Sequence, residues 1–123
     1  RDTGADVRVM APMVATADEA DWFARRVREN GLPKAGVMIE MPGAALRSEH
    51  VLRDVDFGSL GTNDLAQYTM AADRMQGVLS DLLDPWQPAV LDVIAAACEG
   101  AARAGRPMGV AAKPVAIRCS PWC

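Results

Sequence analysis

Two acidic residues stand out because each follows an apolar run that is typical of a buried strand. Glu40 ends the run that starts at Gly36, and Asp64 follows the run that ends at Gly61. In a barrel of parallel strands, residues at the carboxyl ends of the strands share one mouth, where the chemistry takes place. Together with Arg74, two acids at such a mouth indicate a divalent cation that holds an anionic substrate.

Each of these residues also has a simpler interpretation. A strand-end acid such as Glu40 is more often a solvated group or a helix cap than a metal ligand. Asn63 and Asp64 would suit the cap of the helix that follows them, and they could serve in both ways. Taken alone, Arg74 is more often a solvated surface charge, and His50 is expected to have a structural role.

The elements that must position these residues alternate between strands and helices. Four runs predict strands near residues 7–13, 36–40, 56–60 and 107–111, with helical patterns between them. This alternation predicts βα units around a parallel sheet, with the strands in sequential order and the helices on one side. A closed eight-stranded barrel needs about 200 residues or more. The predicted fold class is therefore α/β, a partial (β/α)8 TIM barrel of about four βα units.

Local signals mark the helix boundaries in the first half of the chain. Thr16 and Glu19 have the spacing of a capping box, which predicts a helix that starts there. The pair at residues 30–31, Asn-Gly, predicts its end. Pro42 predicts the start of a second helix, which is expected to run to about Arg53.

In the second half, a helix is predicted after the turn that contains Asp64, followed by an irregular segment at residues 73–88 with a short helical piece near 78–83. The last helix is predicted to start at Pro88 and to end at Gly105. Its buried face is expected to be an apolar stripe, consisting of Val90, Leu91, Ile94, Cys98 and Ala101.

The composition favours one globular unit that works in a reducing compartment. The chain has 123 residues, of which 50% are hydrophobic and 24% charged, and its net charge is −3. No basic run favours nucleic acid or a membrane surface, no apolar stretch is long enough for a spanning helix, and no secretion signal is evident. The three cysteines, at residues 98, 119 and 123, form an odd and sparse set. We therefore expect a cytoplasmic protein without a disulfide framework or a zinc site.

Four longer motifs stand out along the chain: VMAPM at 9–13, GVMIEMP at 36–42, VDFGSLGTNDLAQYTMAADR at 55–74 and LLDPWQPAVL at 82–91. They resemble the phosphoenolpyruvate-utilising enzymes, and most closely Enzyme I of the sugar phosphotransferase system, the phosphoenolpyruvate–protein phosphotransferases. The order and spacing of the motifs extend the resemblance from about residue 7 to residue 110. Pyruvate phosphate dikinase and phosphoenolpyruvate synthase share the acid-bearing motifs, and a relative of these enzymes is an alternative.

This resemblance implies the C-terminal domain of that family, a (β/α)8 barrel that binds phosphoenolpyruvate and Mg²⁺. By resemblance, Glu40 and Asp64 are the two Mg²⁺ ligands, whereas Asn63 and Arg74 hold the carboxylate and phosphate of the substrate. In the family, the phosphoryl group passes to a histidine on a separate domain and then to a phosphocarrier protein during sugar uptake. The family is homodimeric, and His50 does not match its phosphorylated histidine.

The chain also departs from the family pattern. The arginines that clamp the phosphate in the family lie on earlier strands, and neither those strands nor the phosphohistidine domain is present in this sequence. We therefore expect the chain to be a fragment that is inactive alone, and we assign no catalytic residue. The alternative is an inactive or weakly Mg²⁺-binding remnant of a broken reading frame.

The end of the chain supports that alternative. After Val110 the family continues Cys-Gly-Glu, whereas this chain reads Ala-Ala-Lys at 111–113. Codons for residues 110–117, read one base earlier, permit Cys-Gly-Glu-Ala-Gly-Arg-Asp, so the loss of one base would explain the change. Residues 1–110 are accordingly predicted to form the partial barrel domain, and residues 111–123 an aberrant, frame-shifted tail.

Overall fold

Four parallel strands form one sheet, and their order in space follows the sequence, β1-β2-β3-β4. The structure is a computed structural model that describes residue 4, residues 6–84 and residues 86–111. The strands are β1 (Arg8–Ala11), β2 (Lys34–Ile39), β3 (Phe57–Gly61) and β4 (Met108–Ala111). The helices are α1 (Ala17–Glu29), α2 (Pro42–Leu46), α3 (Ser48–Val51), α4 (Thr62–Thr69) and α5 (Pro88–Ala104), with a 3₁₀ helix at Gly77–Leu83 before α5.

The parallel pairing of the strands confirms the predicted α/β class. Met38 of β2 is in register with Ser59 of β3, and Ser59 is in register with Gly109 of β4. Because all three strand pairs are parallel, all four carboxyl ends lie at one edge of the sheet. The closure of such a sheet into a barrel stays a prediction.

The first helix begins and ends where the local signals predict. The Thr16 hydroxyl accepts a hydrogen bond from the Glu19 N–H at 3.3 Å, and the Glu19 carboxylate accepts one from the Thr16 N–H at 3.0 Å. Asn30 caps the other end, and Gly31 follows with a φ of 77°, a left-handed conformation that glycine adopts readily. The helix buries Ala20, Ala24 and Val27.

The single helix predicted for residues 42–53 is wrong, because the chain forms two short helices, α2 and α3. Arg47 leaves the helical conformation between them, with φ −113° and ψ 20°. Ser48 is 1% exposed, and its hydroxyl donates to the carbonyl of Ala97 in α5 at 3.0 Å. A Cβ on Gly100 of α5 would collide with Ser48 and with the α3 backbone. The break therefore accompanies a close helix contact that has no local sequence signal.

Helix α5 has the predicted ends, and four of the five residues of its predicted stripe are confirmed in the core. Val90 and Ala101 are buried, and Ile94 and Cys98 pack against the core. Gly105 ends the helix with a φ of 65°. Leu91 is 37% exposed, so its assignment to the core is wrong. The buried face instead includes small residues, because α5 packs closely against α2 and α3. The residues that α5 buries are Val90, Ala97, Gly100 and Ala101.

The two faces of the sheet have different surroundings. Ile39 and Leu60 point into the core that the helices cover, and both are fully buried. The alternate residues of the strands lie on the other face, because successive side chains of a strand point to opposite sides. Within the described residues, this second face is only partly buried. We call it the open face, and it consists of Met10, Gly36, Met38, Phe57, Ser59 and Gly109.

The remaining sequence predictions concern membranes and the tail. Among the described helices, none is long and apolar enough to cross a membrane. Ala111 is the last residue of β4 and is in register with Gly61. Residues 112–123 lie outside the described residues, so the frame-shifted tail stays a prediction.

Candidate metal and substrate site

Glu40 lies at the carboxyl edge of the sheet, immediately after β2. Alternation along the strand places it on the open face with Met38, yet it is only 5% exposed. Its Oε2 accepts a hydrogen bond from the backbone N–H of Met13 at 2.8 Å. Its side chain also lies against Gly61 at the end of β3, where a Cβ would be 2.6 Å from Oε1.

Met13 reaches Glu40 through an uncommon backbone conformation. It follows β1 by two residues and has a φ of 55°, in the left-handed region that few residues other than glycine adopt. This turn aims the N–H of Met13 at the carboxylate that follows the neighbouring strand. The end of β1 therefore helps to form the site, although β1 contributes no ionisable group there.

Asp64 lies on the next βα unit, in the first turn of α4. The helix begins at Thr62, and its cap residue is Gly61, which has no side chain to accept a hydrogen bond. Neither Asn63 nor Asp64 is therefore the cap residue, although a carboxylate in the first turn interacts favourably with the helix dipole. The Asp64 side chain is 25% exposed, so that ligands can reach it.

Arg74 returns to Asp64 from beyond the end of α4. Ala71 has a φ of 49°, and the N–H of Ala72 donates back to the carbonyl of Gln67 at 3.0 Å, so the chain reverses here. As a result, Arg74 Nη1 lies 3.4 Å from Asp64 Oδ1. The Arg74 side chain remains 57% exposed, which leaves donors available for an anion.

Asn63 and His50 are less closely tied to this arrangement. Asn63 is exposed, and its side chain forms no hydrogen bond with the part of the chain that the structure describes. His50 is exposed on α3, where its Nε2 lies 3.2 Å from Nη2 of Arg47. The structure thus pairs Asp64 with Arg74 and packs Glu40 against Gly61, while Asn63 has no visible partner among the described residues.

The donors present fit Mg²⁺ better than a softer metal. Across residues 4, 6–84 and 86–111, no group of three or more His, Cys, Asp or Glu could hold a metal ion. Mg²⁺ usually takes one or two carboxylates and completes its shell with substrate oxygens and water, whereas structural zinc needs four nitrogen or sulfur ligands. Glu40 and Asp64 offer hard oxygens on neighbouring βα units, which suits the first of these patterns.

Two contributors to the site were missed in the sequence. The Met13 N–H is a backbone donor, and a backbone donor cannot be recognised from the type of the residue that supplies it. Gly61 did have a signal, because a glycine within a strand often marks a close approach by another group. The signal does not say which group approaches, so Glu40 could not be named from it.

Comparison with known proteins agrees with the motifs. The family model described as PEP-utilising enzyme, PEP-binding domain, matches residues 2–118. A phosphoenolpyruvate-protein phosphotransferase of Streptomyces coelicolor is 54% identical over 111 residues, covering 89% of this chain and 20% of the relative. The protein of the same name from Cupriavidus necator is 42% identical over 116 residues, covering 85% of this chain and 20% of the relative. The one from Bacillus subtilis is 38% identical over 121 residues, covering 88% and 21%.

These matches confirm the resemblance that the motifs indicate. The chain spans about a fifth of the length of the curated relatives it matches. The family model extends over nearly the whole chain, including both acid-bearing strand ends and α5. The chain therefore belongs to the family of PEP-utilising enzymes, in their PEP-binding domain.

Proposed function

We propose that this chain is the cation- and substrate-binding part of a phosphoenolpyruvate–protein phosphotransferase. The observation that carries the proposal is the buried carboxylate of Glu40, held by a backbone N–H at the same sheet edge as the Asp64–Arg74 pair. In a parallel sheet with helices, ligands bind at this carboxyl edge. The family relationship favours phosphoenolpyruvate as that ligand.

Each residue has a distinct role in this proposal. Glu40 and Asp64 would hold Mg²⁺, which when bound neutralises the phosphate oxygens and orients the substrate. Arg74 would grip an anionic group of the substrate, because its planar guanidinium can donate two hydrogen bonds at once. Its ion pair with Asp64 keeps it beside the site when no substrate is bound. Asn63 would donate to the substrate carboxylate, and its exposure leaves its amide accessible.

The finer parts of the function also belong to this proposal. The names of the relatives state that they transfer a phosphoryl group to a protein, so we extend a phosphocarrier partner and a role in sugar uptake to the whole protein of which this chain is part. We further propose a completed (β/α)8 barrel, a homodimer and a cytoplasmic location. The four parallel strands and the sparse cysteines support the barrel and the location respectively.

The metal role can be tested directly with Mn²⁺ in place of Mg²⁺. Mn²⁺ binding to the 123-residue chain would be measured by water proton relaxation, with and without phosphoenolpyruvate. The double variant Glu40→Gln, Asp64→Asn should lose at least about tenfold in Mn²⁺ affinity, since both carboxylate ligands are removed. Arg74→Ala should weaken the effect of phosphoenolpyruvate more than it weakens the binding of Mn²⁺ alone.

A matched control removes two carboxylates elsewhere. Glu29 and Asp54 each form an exposed ion pair, with Arg26 and Arg53 respectively. The double variant Glu29→Gln, Asp54→Asn changes the net charge equally and should bind Mn²⁺ like the parent. Equal affinity in the parent and the Glu40/Asp64 variant would remove the metal role.

A further inference from the structure

We propose that Gly61 and the backbone N–H of Met13 are positioning elements, which fix the Glu40 carboxylate in place before any cation arrives. The inference rests on the proposed metal role of Glu40 and deepens it. Side chains that bind a metal are often held in position by hydrogen bonds to neighbouring groups. The loss of such a neighbour typically weakens metal affinity by about 10- to 100-fold. Here the neighbours are two backbone groups: the N–H of Met13, which follows β1, and Gly61, which ends β3.

The first argument is that each oxygen of the carboxylate has its own constraint. Oε2 accepts the N–H of Met13 at 2.8 Å. Oε1 lies where a Cβ of residue 61 would approach to 2.6 Å, and the Cγ atom lies closer still to that position. The side chain is therefore tethered from the β1 side and packed against bare backbone on the β3 side, which explains how an acid on the open face is 5% exposed.

The second argument is that Gly61 is needed for space and not for backbone freedom. Its φ is −94° and its ψ is 82°, and this φ is open to residues other than glycine. Any side chain at this position, however, would occupy the place of the Glu40 side chain. The requirement for glycine therefore comes from the carboxylate, and a substitution should act on Glu40 first.

The third argument comes from two other glycines on the open face, which serve as internal controls. Gly36 is overlain by the Phe57 ring, and a Cβ there would lie 2.6 Å from Cδ2 of that ring. Gly109 has open space, because the nearest atom to its Cβ position is the Gly58 carbonyl oxygen at 3.9 Å. Gly36→Ala thus repeats the steric clash without touching Glu40, and Gly109→Ala adds the same methyl group without any clash.

Met13 allows a complementary test, because its contribution is a backbone donor. Met13→Gly keeps the N–H and fits the left-handed conformation, so it should preserve the position of Glu40. Met13→Pro removes the N–H and requires a φ near −65°, so it should release the carboxylate. Met13 is 44% exposed, so the loss of its side chain removes little packing.

The decisive experiment is run first on the metal-free 123-residue chain. Amide hydrogen exchange and the amide proton shift of Met13 report its hydrogen bond to Glu40 directly. Gly61→Ala should speed exchange at Met13 by about tenfold or more, whereas Gly36→Ala and Gly109→Ala should leave it within about twofold. If Gly61→Ala does not fold, Glu40→Asp provides the test, because the shorter side chain keeps the charge but should not reach the Met13 N–H.

Mn²⁺ affinity is then measured on the same proteins. Gly61→Ala should bind Mn²⁺ about 10- to 100-fold more weakly, and Gly36→Ala should bind it normally even if it is less stable. An unchanged Met13 amide in Gly61→Ala, or in Glu40→Asp where that replaces it, would overturn the inference. Equal losses of Mn²⁺ affinity in Gly61→Ala and Gly36→Ala would also overturn it.

The proposed function can fail separately. If the Glu40/Asp64 double variant binds Mn²⁺ like the parent, the metal role fails, but the Met13 amide still decides whether Gly61 positions the carboxylate. If Mn²⁺ binding needs both acids but tolerates Gly61→Ala with an unchanged Met13 amide, the metal role stands and the positioning inference fails.

Discussion

Glu40 and Asp56 occupy opposite ends of the same sheet and make similar contacts. Glu40 follows β2 and accepts the N–H of Met13 at 2.8 Å, whereas Asp56 precedes β3 and accepts the N–H of Ala35 at 2.9 Å. They differ in whether a cationic side chain pairs with the carboxylate. Asp56 forms an ion pair with Arg28 at 3.2 Å, but no ion pair joins Glu40 to the part of the chain that the structure describes.

This difference separates a structural acid from a candidate functional one. Asp56 is 31% exposed and has a cation of its own, so its charge is compensated within the fold. Glu40 is buried and has no ion-pair partner among the described residues, and the burial of a carboxylate without a cation costs stability. The division agrees with the rule for barrels, in which one end of the strands provides stability and the other provides chemistry.

The largest effect is expected from matched amide substitutions at the two acids. Asp56→Asn should lower the free energy of unfolding by about 1–2 kcal/mol, because a charge-assisted hydrogen bond and an ion pair are weakened together. Glu40→Gln should change it by less than about 0.5 kcal/mol or raise it in the metal-free chain, since sites kept for function often lower stability. Urea unfolding midpoints would measure both. A loss at Glu40 equal to that at Asp56 would contradict the comparison.

A smaller effect is expected at Arg28, the cation that neutralises Asp56. Arg28→Met should lower the free energy of unfolding by about 0.5 kcal/mol, because the pair is partly exposed. The difference from the parent should shrink at about 1 M salt, where charges are screened over a few ångströms. Arg26→Met removes a more exposed pair with Glu29 and should cost less. A salt-independent loss at Arg28 would point to packing by its aliphatic stem.

The smallest effect is expected at Glu19. This acid also lies beyond the carboxyl end of β1, so a position at that edge of the sheet does not by itself indicate a functional role. Glu19 accepts the N–H of Ala15 and that of Thr16 beyond β1, and these hydrogen bonds hold the pKa of its carboxyl below the usual range. Because this pKa is lower in the folded state than in the unfolded state, the carboxylate stabilises the fold at pH values above the unfolded pKa of about 4.3. This stabilisation is lost as the pH falls through the folded pKa.

Glu19→Gln should therefore differ most from the parent above about pH 5 and should approach it as the pH falls below 4. Gln can still accept a hydrogen bond in the capping box but does not titrate. A pH-dependent difference in stability between the two proteins therefore comes from the Glu19 carboxyl. Unfolding midpoints measured at pH 3, 4, 5 and 7 would follow the difference, and a gap of constant size across this range would exclude the carboxylate as its source.

Local signals predicted the elements of the fold better than their packing. The capping box of Thr16 and Glu19 and the terminal Gly105 depend on nearby residues, and the structure confirms them. The break at Arg47 depends on the contact of Ser48 with α5, which lies far away in sequence. A pattern read along the chain cannot contain such a contact.

In the candidate site as well, some features could be predicted from the sequence and others could not. Motif and residue type identified Glu40, Asp64 and Arg74, and the structure brings the last two within 3.4 Å of each other. Their roles with Mg²⁺ and substrate stay predictions. The Met13 N–H could not be predicted, because every residue except proline has one. Gly61 within a strand indicated a close approach, but the sequence did not show that the approaching group is the Glu40 side chain.

The sequential strand order has a further consequence for the order in which the structure assembles. The connection between β2 and β3 covers residues 40–56, whereas the connection between β3 and β4 covers residues 62–107. Closing the shorter connection costs less chain entropy, and contacts between near neighbours in sequence form faster. The β2–β3 pair, which brings Glu40 against Gly61, is therefore expected to form early. The β4 strand is expected to join later, after Glu40 and Gly61 have come together.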